Sequence, residues 1–447
     1  MATPARRIAA EVLTRVAQGG AFANLALDAA LRQAGALDPR EAALATELAY
    51  GTLRWQLQLD RALSAHSDRA LEDVDEPVRV ALRLGAYELI HHGKVPAHAA
   101  VNEAVELAKE LRAGRATGFV NAVLRRLSET RAAPPLPSRE VDPVGHVAAL
   151  TAHPRWMIER WFRWLGPVEA EKLAAANQQR APAAVRVARR KATREQAQEA
   201  LARAGIESHP GKYSPDALIL SPGAPPALDI EGHEQGLFQA QDEAAQLVSL
   251  FSSPERSARI LDACAAPGGK ACHLAEIADR GSVLAVDLHA RKASSIAEAA
   301  QRLGLDNLEA RAADATLPIP DVPLESFDLV LLDAPCTGLG TLRRHPEVKL
   351  RRTPEDVDRL AQLQAKLLAS VQRYVRPGGL LVHAVCTLTP EESEEQVQRF
   401  LAAAPQFRVE RPPPGFPADA LDRDFLRTLP HRTGTDGFFA ARLRRTA

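Results

Sequence analysis

From residue 239 onward the chain alternates short apolar runs with amphipathic stretches. That rhythm restricts the fold more than any other feature of its 447 residues. ARILDAC, SVLAVDL, NLEARAAD, FDLVLLD and GLLVHAV have the length and composition of strands, and PEDVDRLAQLQAKLLASVQRYV forms the long helix before the last of them. The pattern predicts an α/β domain over 239–447, a mostly parallel sheet with helices on both faces. In the usual doubly wound order the fourth strand lies beside the first and the fifth beside the fourth, with the ligand crevice beyond their carboxyl ends.

The preceding residues follow other rules. Over 1–132 the apolar residues recur at helical spacing, as at Ile8, Val12 and Val16, and predict an all-helical domain. In DPRE, Asp38 is placed to cap a helix, Pro39 to open its first turn and Glu41 to complete a capping box. The Pro-rich tract after residue 130 predicts a linker at 133–149. Residues 150–238 mix helix and strand: HPRWMIERWFRWLG and TREQAQEALARAG as helices, AAVRVARR and DALILSP as strands. A small α+β subdomain fits.

Lys+Arg and Asp+Glu number 56 each, so net charge gives no argument for a nucleic-acid partner. Two local patches do: residues 343–352 carry five Lys/Arg against Glu347, and residues 180–194 carry six without an acid. The four cysteines show no C-x-x-C pair and no spacing suited to zinc, which predicts reduced thiols, no disulfide framework and no metal. Glu11 and Arg15 interrupt the first amphipathic stretch, and no window is apolar enough for a bilayer. A cytoplasmic chain without membrane contact is expected.

Chemistry concentrates at the expected strand ends. LDACAAPGGK leads from the first strand through Cys264, Ala265 and Ala266 to a helix beginning near Lys270, and Pro267, Gly268 and Gly269 make a tight turn that lets backbone N–H groups approach a ligand closely. It matches neither the dinucleotide nor the triphosphate glycine pattern. Asp287, ending the second strand, suits the hydroxyls of a ribose, and Asp314, ending the third, an adenine amino group. A phosphate-free nucleoside such as S-adenosyl-L-methionine fits this set; the plainer alternative is a glycine turn with two helix-capping aspartates.

Asp333 and Cys336 follow the fourth strand and Cys386 the fifth. Two thiols and a carboxylate suit methylation at C5 of a pyrimidine. That carbon is too weak a nucleophile until a thiolate adds to C6. An acid near N3 and the exocyclic amine stabilises the adduct, and a second thiol serves proton removal or release. Spacing leaves open which cysteine attacks. Cys272, inside a helix, reads as a small buried hydrophobe, and Cys264 equally as loop packing or a contact.

LDACAAPGGK, DAPCTGLGTLRRHPEVK, VCTLTPEESEEQV and DGFFAARL together resemble the RNA 5-methylcytosine methyltransferases of the Sun family. ELAYGTLRW and FVNAVLRRL resemble the NusB-like RNA-binding fold. The resemblance spans nearly the whole chain. It implies a Rossmann-like methyltransferase domain behind an all-α NusB-like domain and a small α+β RNA-binding subdomain. It further implies S-adenosyl-L-methionine as donor, a monomeric enzyme, and a cytosine of 16S ribosomal RNA, at position 967, as target. In that family the cysteine matching Cys386 is the nucleophile and the one matching Cys336 assists release, and the resemblance implies donor contacts from the Cys264–Lys270 loop, Asp287, Asp314 and Asp333. The same chemistry on transfer RNA or another ribosomal site is an alternative, as is a non-catalytic RNA-binding or antitermination protein. To ionise Cys386, either a helix starting at Thr389, with Pro390 in its first turn and Glu392 closing a capping box, or the Lys270 ammonium is available.

Overall fold

The computed structural model describes residues 1–93 and 95–446. Its chain divides into two compact units, Met1–Gln179 with Leu342–Arg351, and Arg180–Thr341 with Arg352–Ala447. The division falls inside the 150–238 stretch, because the helices Pro143–Leu150, Arg155–Leu165 and Pro167–Asn177 pack on one another and stay with the first unit.

The first unit is helical. Its main helices, Pro4–Gly19, Ala23–Ala34, Pro39–Ser64, Glu76–Ile90, Ala97–Glu110 and Thr117–Thr130, bury one apolar stripe each, including Ile8, Val12, Leu48, Leu82 and Leu124. Asp38 caps its helix by accepting from the Arg40 N–H at 2.8 Å. Glu41 does not close a capping box. It accepts instead from the Ala5 N–H at 2.9 Å, one of the orphan donors at the start of the first helix, where Thr3 makes no side-chain cap.

The basic segment at 343–352 differs from its expected role. Apart from Arg352 it lies in the helical unit, where Glu347, Lys349 and Arg351 bond to its backbone. The Lys349 ammonium, 2% exposed, donates to the Arg54 carbonyl at 2.7 Å, and the fully buried Glu347 accepts from the Ala23 N–H at 3.0 Å. Arg351 donates to the Val16 and Gly20 carbonyls at 2.8 Å each, and to Ala21. It thereby satisfies the open C-terminal end of the first helix. Charges committed to buried backbone are not free to hold phosphates.

The second unit contains two sheets. The smaller has strands β1 (Ala183–Val187), β2 (Ser208–Pro210), β3 (Ala217–Leu220) and β4 (Phe238–Ala240), antiparallel in the order β2-β3-β1-β4. A helix, Arg194–Arg203, opens with a capping box between Thr193 and Gln196 and packs Ala197 and Leu201 against Val185, Leu218 and Phe238. Here too the expected basic patch is largely paired. Arg186 is fully buried against Glu276 and Gln241, Arg189 bonds Asp216 at 2.7 Å, and Arg190 bonds Asp306 at 2.5 Å.

The larger sheet carries the parallel core, with strands β5 (Arg259–Asp262), β6 (Ser282–Asp287), β7 (Leu308–Ala312), β8 (Phe327–Asp333) and β9 (Val375–Val385). Beyond them come β10 (Phe407–Val409), β11 (Leu421–Asp422), β12 (Phe425–Thr428) and β13 (Phe438–Arg445). The order is β11-β12-β13-β9-β8-β5-β6-β7, with β10 also on β13. As the doubly wound pattern predicts, β8 lies parallel beside β5 and β9 parallel beside β8. The last strand, β13, enters antiparallel to β9 and carries Phe438 to the ligand end of the sheet. Cys272 sits fully buried in the apolar layer on one face, where burial pushes its thiol up to about 11. No helix among the described residues is long and apolar enough to cross a membrane.

Candidate active site

Parallel pairing of β8 with β9 places Asp333 opposite Ala384, so the segments that follow leave the sheet side by side. The Ala334 N–H donates to the Ala384 carbonyl at 2.8 Å, extending the ladder one step past the strand. Beyond it the Cys336 and Cys386 sulfurs approach to 3.3 Å. Gly340 closes the loop. Its N–H donates to the Cys386 carbonyl at 3.0 Å and its carbonyl accepts from the Gly437 N–H at 2.8 Å. A Cβ at this position would lie 1.9 Å from the Gly437 oxygen, so only glycine fits.

Lys270, in the first turn of the helix Gly269–Ile277, donates to Asp333 at 2.7 Å and lies 4.9 Å from the centre of the Phe438 ring. Burial opposes its charge, but Asp333, and after it Cys386 and Asp262, hold its pKa above the ordinary lysine value. The ammonium therefore remains a fixed positive charge beside both the carboxylate and the sulfur. For Cys336, the hydrogen bond with Cys386 and then burial raise the thiol well above the ordinary range. A pair of thiols this close gives up one proton far more readily than two.

The expected donor-binding residues gather at the carboxyl ends of β5, β6, β7 and β8. Gly268 has φ +101°, a conformation that other residues rarely adopt, and a Cβ there would press on Ile296 at 3.2 Å. Asp287 accepts from the Ala266 N–H at 3.3 Å and the His289 N–H at 3.1 Å, which ties the Cys264–Lys270 loop to the end of β6. Asp314 accepts through one oxygen from the Thr316 N–H and hydroxyl, at 2.9 and 2.7 Å. Both aspartates thus brace turns, and their carboxylates ring the same end of the sheet as Asp333. The turn with its backbone N–H groups, the row of acids and the absence of a phosphate-binding glycine pattern suit a nucleoside with a cationic tail. Cys264 is half-buried in the loop, its thiol raised by burial and then by Asp262 and Asp333.

The helix expected to begin at Thr389 starts later. Residues Pro390–Glu392 form a 3-10 turn, and the α-helix runs over Glu394–Ala403. Glu392 is fully buried and turns toward the loops after β8 and β9 instead of capping. The α-helix thus begins five residues past Thr389, and Lys270 is a positive charge that acts on Cys386.

Sequence reasoning missed three contributors. Asp262, the last residue of β5, is fully buried, and burial followed by Asp333 pushes its carboxyl up to about 7. Glu392 was assigned to a helix cap, and Gly340 to no role. Each depends on a partner at least 55 residues away, Asp333, Thr337 and Gly437 respectively; only the polarity of Asp262 inside an apolar strand is a local signal.

Three family models match successive parts of the chain. The one described as NusB family covers residues 3–129, the ferredoxin-like domain of the RsmF/B-like methyltransferases covers 153–225, and 16S rRNA methyltransferase RsmB/F covers 249–444. Similarity extends over whole proteins. The probable ribosomal RNA small subunit methyltransferase B of Bacillus subtilis is 35% identical over 99% of each chain. Ribosomal RNA small subunit methyltransferase B of Pseudomonas syringae pv. tomato is 36% identical over 98% of this chain and 96% of its own. Among solved structures, that of PH0851 aligns with a TM-score of 0.85 at 25% identity, covering 100% of both chains.

Proposed function

The chain belongs to the ribosomal RNA small subunit methyltransferase B family, and on that premise we propose the reaction it performs. It transfers the methyl group of S-adenosyl-L-methionine to C5 of a cytosine in 16S ribosomal RNA, the position-967 base, through a covalent bond from Cys386 to C6. The observation that supports this reading is the 3.3 Å approach of the Cys336 and Cys386 sulfurs beside the Lys270–Asp333 pair. Acting as a monomer in the cytoplasm is part of the same reading.

The Cys386 thiolate bonds to C6, and the C5=C6 electrons shift toward C4 and N3, making C5 an enamine carbon. Asp333 is assigned to accept from the exocyclic amine and hold the ring, and the Lys270 ammonium paired with it offsets the negative charge that develops at N3. The Cys264–Lys270 loop with Asp287, Asp314 and Asp333 would hold S-adenosyl-L-methionine, which would supply the methyl group to C5 and leave as the thioether S-adenosylhomocysteine. Once Cys386 is bonded to carbon it no longer places negative charge beside Cys336, whose proton is then held less tightly. Cys336, having released its proton to solvent once Cys386 is bonded to carbon, is assigned to accept the C5 proton as the C5=C6 bond re-forms, the C6–S bond breaks and Cys386 leaves as thiolate.

The test is incubation with tritiated S-adenosyl-L-methionine and unmethylated 16S RNA, followed by mapping of 5-methylcytosine. One labelled cytosine in the small-subunit RNA is expected. Label on transfer RNA instead would keep the chemistry and overturn the substrate, and no label on any RNA would favour a binding protein.

A further inference from the structure

Glu392 has no place in the reaction as described, yet it is the most heavily bonded carboxylate near the two thiols. It accepts from the Thr337 N–H at 2.9 Å, the Thr337 hydroxyl at 2.5 Å, the Thr389 hydroxyl at 2.7 Å and the Gln364 amide at 3.1 Å. The Thr387 hydroxyl lies 3.3 Å from Oε2, the oxygen that takes the Thr337 and Thr389 hydroxyls, and 2.5 Å from the Thr337 hydroxyl. Thr337 directly follows Cys336, and Thr387 directly follows Cys386. A single buried carboxylate therefore holds the residue next to each cysteine.

We propose that Glu392 is a positioning residue for the methyl transfer, a buried anion that fixes the two cysteine loops to one anchor and sets how the sulfurs meet. The inference rests on the thiol chemistry proposed above. Four donors converging on one carboxylate satisfy an anion, and a neutral amide in its place would turn an N–H group toward hydroxyls already donating. The charge matters as well as the shape. Glu392 acts on Cys336 in the same direction as Cys386 and Asp333 do, favouring the protonated thiol. Around it, Gln364 also donates to the Pro335 carbonyl, the His383 ring contacts the Glu392 carbonyl at 3.2 Å, and the Arg352 guanidinium bonds the Thr337 carbonyl at 3.0 Å. Until Cys386 has bonded to C6, Cys336 thus keeps its proton and Cys386 is the sulfur free to attack; loss of the Cys386 charge then lets Cys336 ionise for the later proton transfer.

The experiment compares full-length Glu392→Gln and Glu392→Asp with the parent chain by two readouts. In the first, alkylation of Cys336 by iodoacetamide is followed against pH by peptide mass spectrometry, without RNA or donor. The Gln variant is expected to move the Cys336 profile to lower pH by about one unit, roughly tenfold faster alkylation at a given alkaline pH, whereas Asp retains most of the parent profile. In the second, kcat for methyl transfer is expected to fall at least about tenfold in the Gln variant with KM for RNA and donor nearly unchanged, and to recover partly with Asp. An unchanged Cys336 profile in Glu392→Gln overturns the proposal. So does a loss of activity equal in both variants and carried by KM. The alkylation readout needs no methyl transfer, so failure of the proposed reaction and failure of this inference are separable.

Discussion

Cys336 and Cys386, 50 residues apart in the chain, bring their sulfurs to 3.3 Å because each follows the end of one of two neighbouring parallel strands. Asp333 lies at the end of the same β8 strand, bonded to Lys270. The two thiols and the acid are thereby brought together by backbone pairing.

The division of labour between the thiols gives the first prediction. Cys386→Ala abolishes methyl transfer while binding of S-adenosyl-L-methionine survives. Cys336→Ala accumulates a covalent protein–RNA species that resists denaturing electrophoresis, since attack proceeds and release does not. Undiminished turnover by Cys386→Ala would remove it as nucleophile; a double variant forms no adduct.

Asp262 makes stability depend on pH. Its folded pKa of about 7 stands above the ordinary 3.8, so between these values the folded chain keeps a proton that the unfolded chain releases. Stability from this group is full below the lower value and declines as pH rises to the upper one, by roughly 4 kcal/mol at most. Asp262→Asn is therefore expected to flatten the fall in urea stability between about pH 4 and 7 in the ligand-free protein. Parallel curves for the two chains would show that the carboxyl ionises without cost.

Gly340→Ala inserts a methyl group onto the Gly437 carbonyl and beside that of Cys386. Overpacking of this kind costs about 1–3 kcal/mol. A lowered melting temperature is expected together with a larger loss in kcat than in donor affinity, because the strain falls on the loop joining Cys336 to the end of β9. A variant with unaltered melting and kcat would mean that the loop relaxes freely.

Lys349→Met tests whether the 343–352 segment grips RNA. Burial, and then Arg54, depress the lysine pKa well below its ordinary value, so the charge is a burden to the fold. Methionine is expected to leave the melting temperature equal or higher and the salt dependence of RNA binding unchanged. A shallower salt dependence would return this lysine to the phosphate-binding role.

The sequence by itself determined the parallel sheet, its strand order and the strand-end motifs, because apolar runs, glycine turns and helix starts are written within a few neighbouring residues. LDACAAPGGK, Asp333 with Cys336, and Cys386 all stand where their strands predicted. Only the tertiary structure decided which charges are spent internally. Arg186, Arg351 and Lys349 looked like phosphate contacts and serve Glu276, helix carbonyls and Arg54. Glu392 looked like a helix cap and joins two cysteine loops, and Asp262 looked like part of a strand and became a buried acid. A polar group's role depends on its burial and on the partner that meets it. Both are set by segments distant in the chain, which local spacing does not encode.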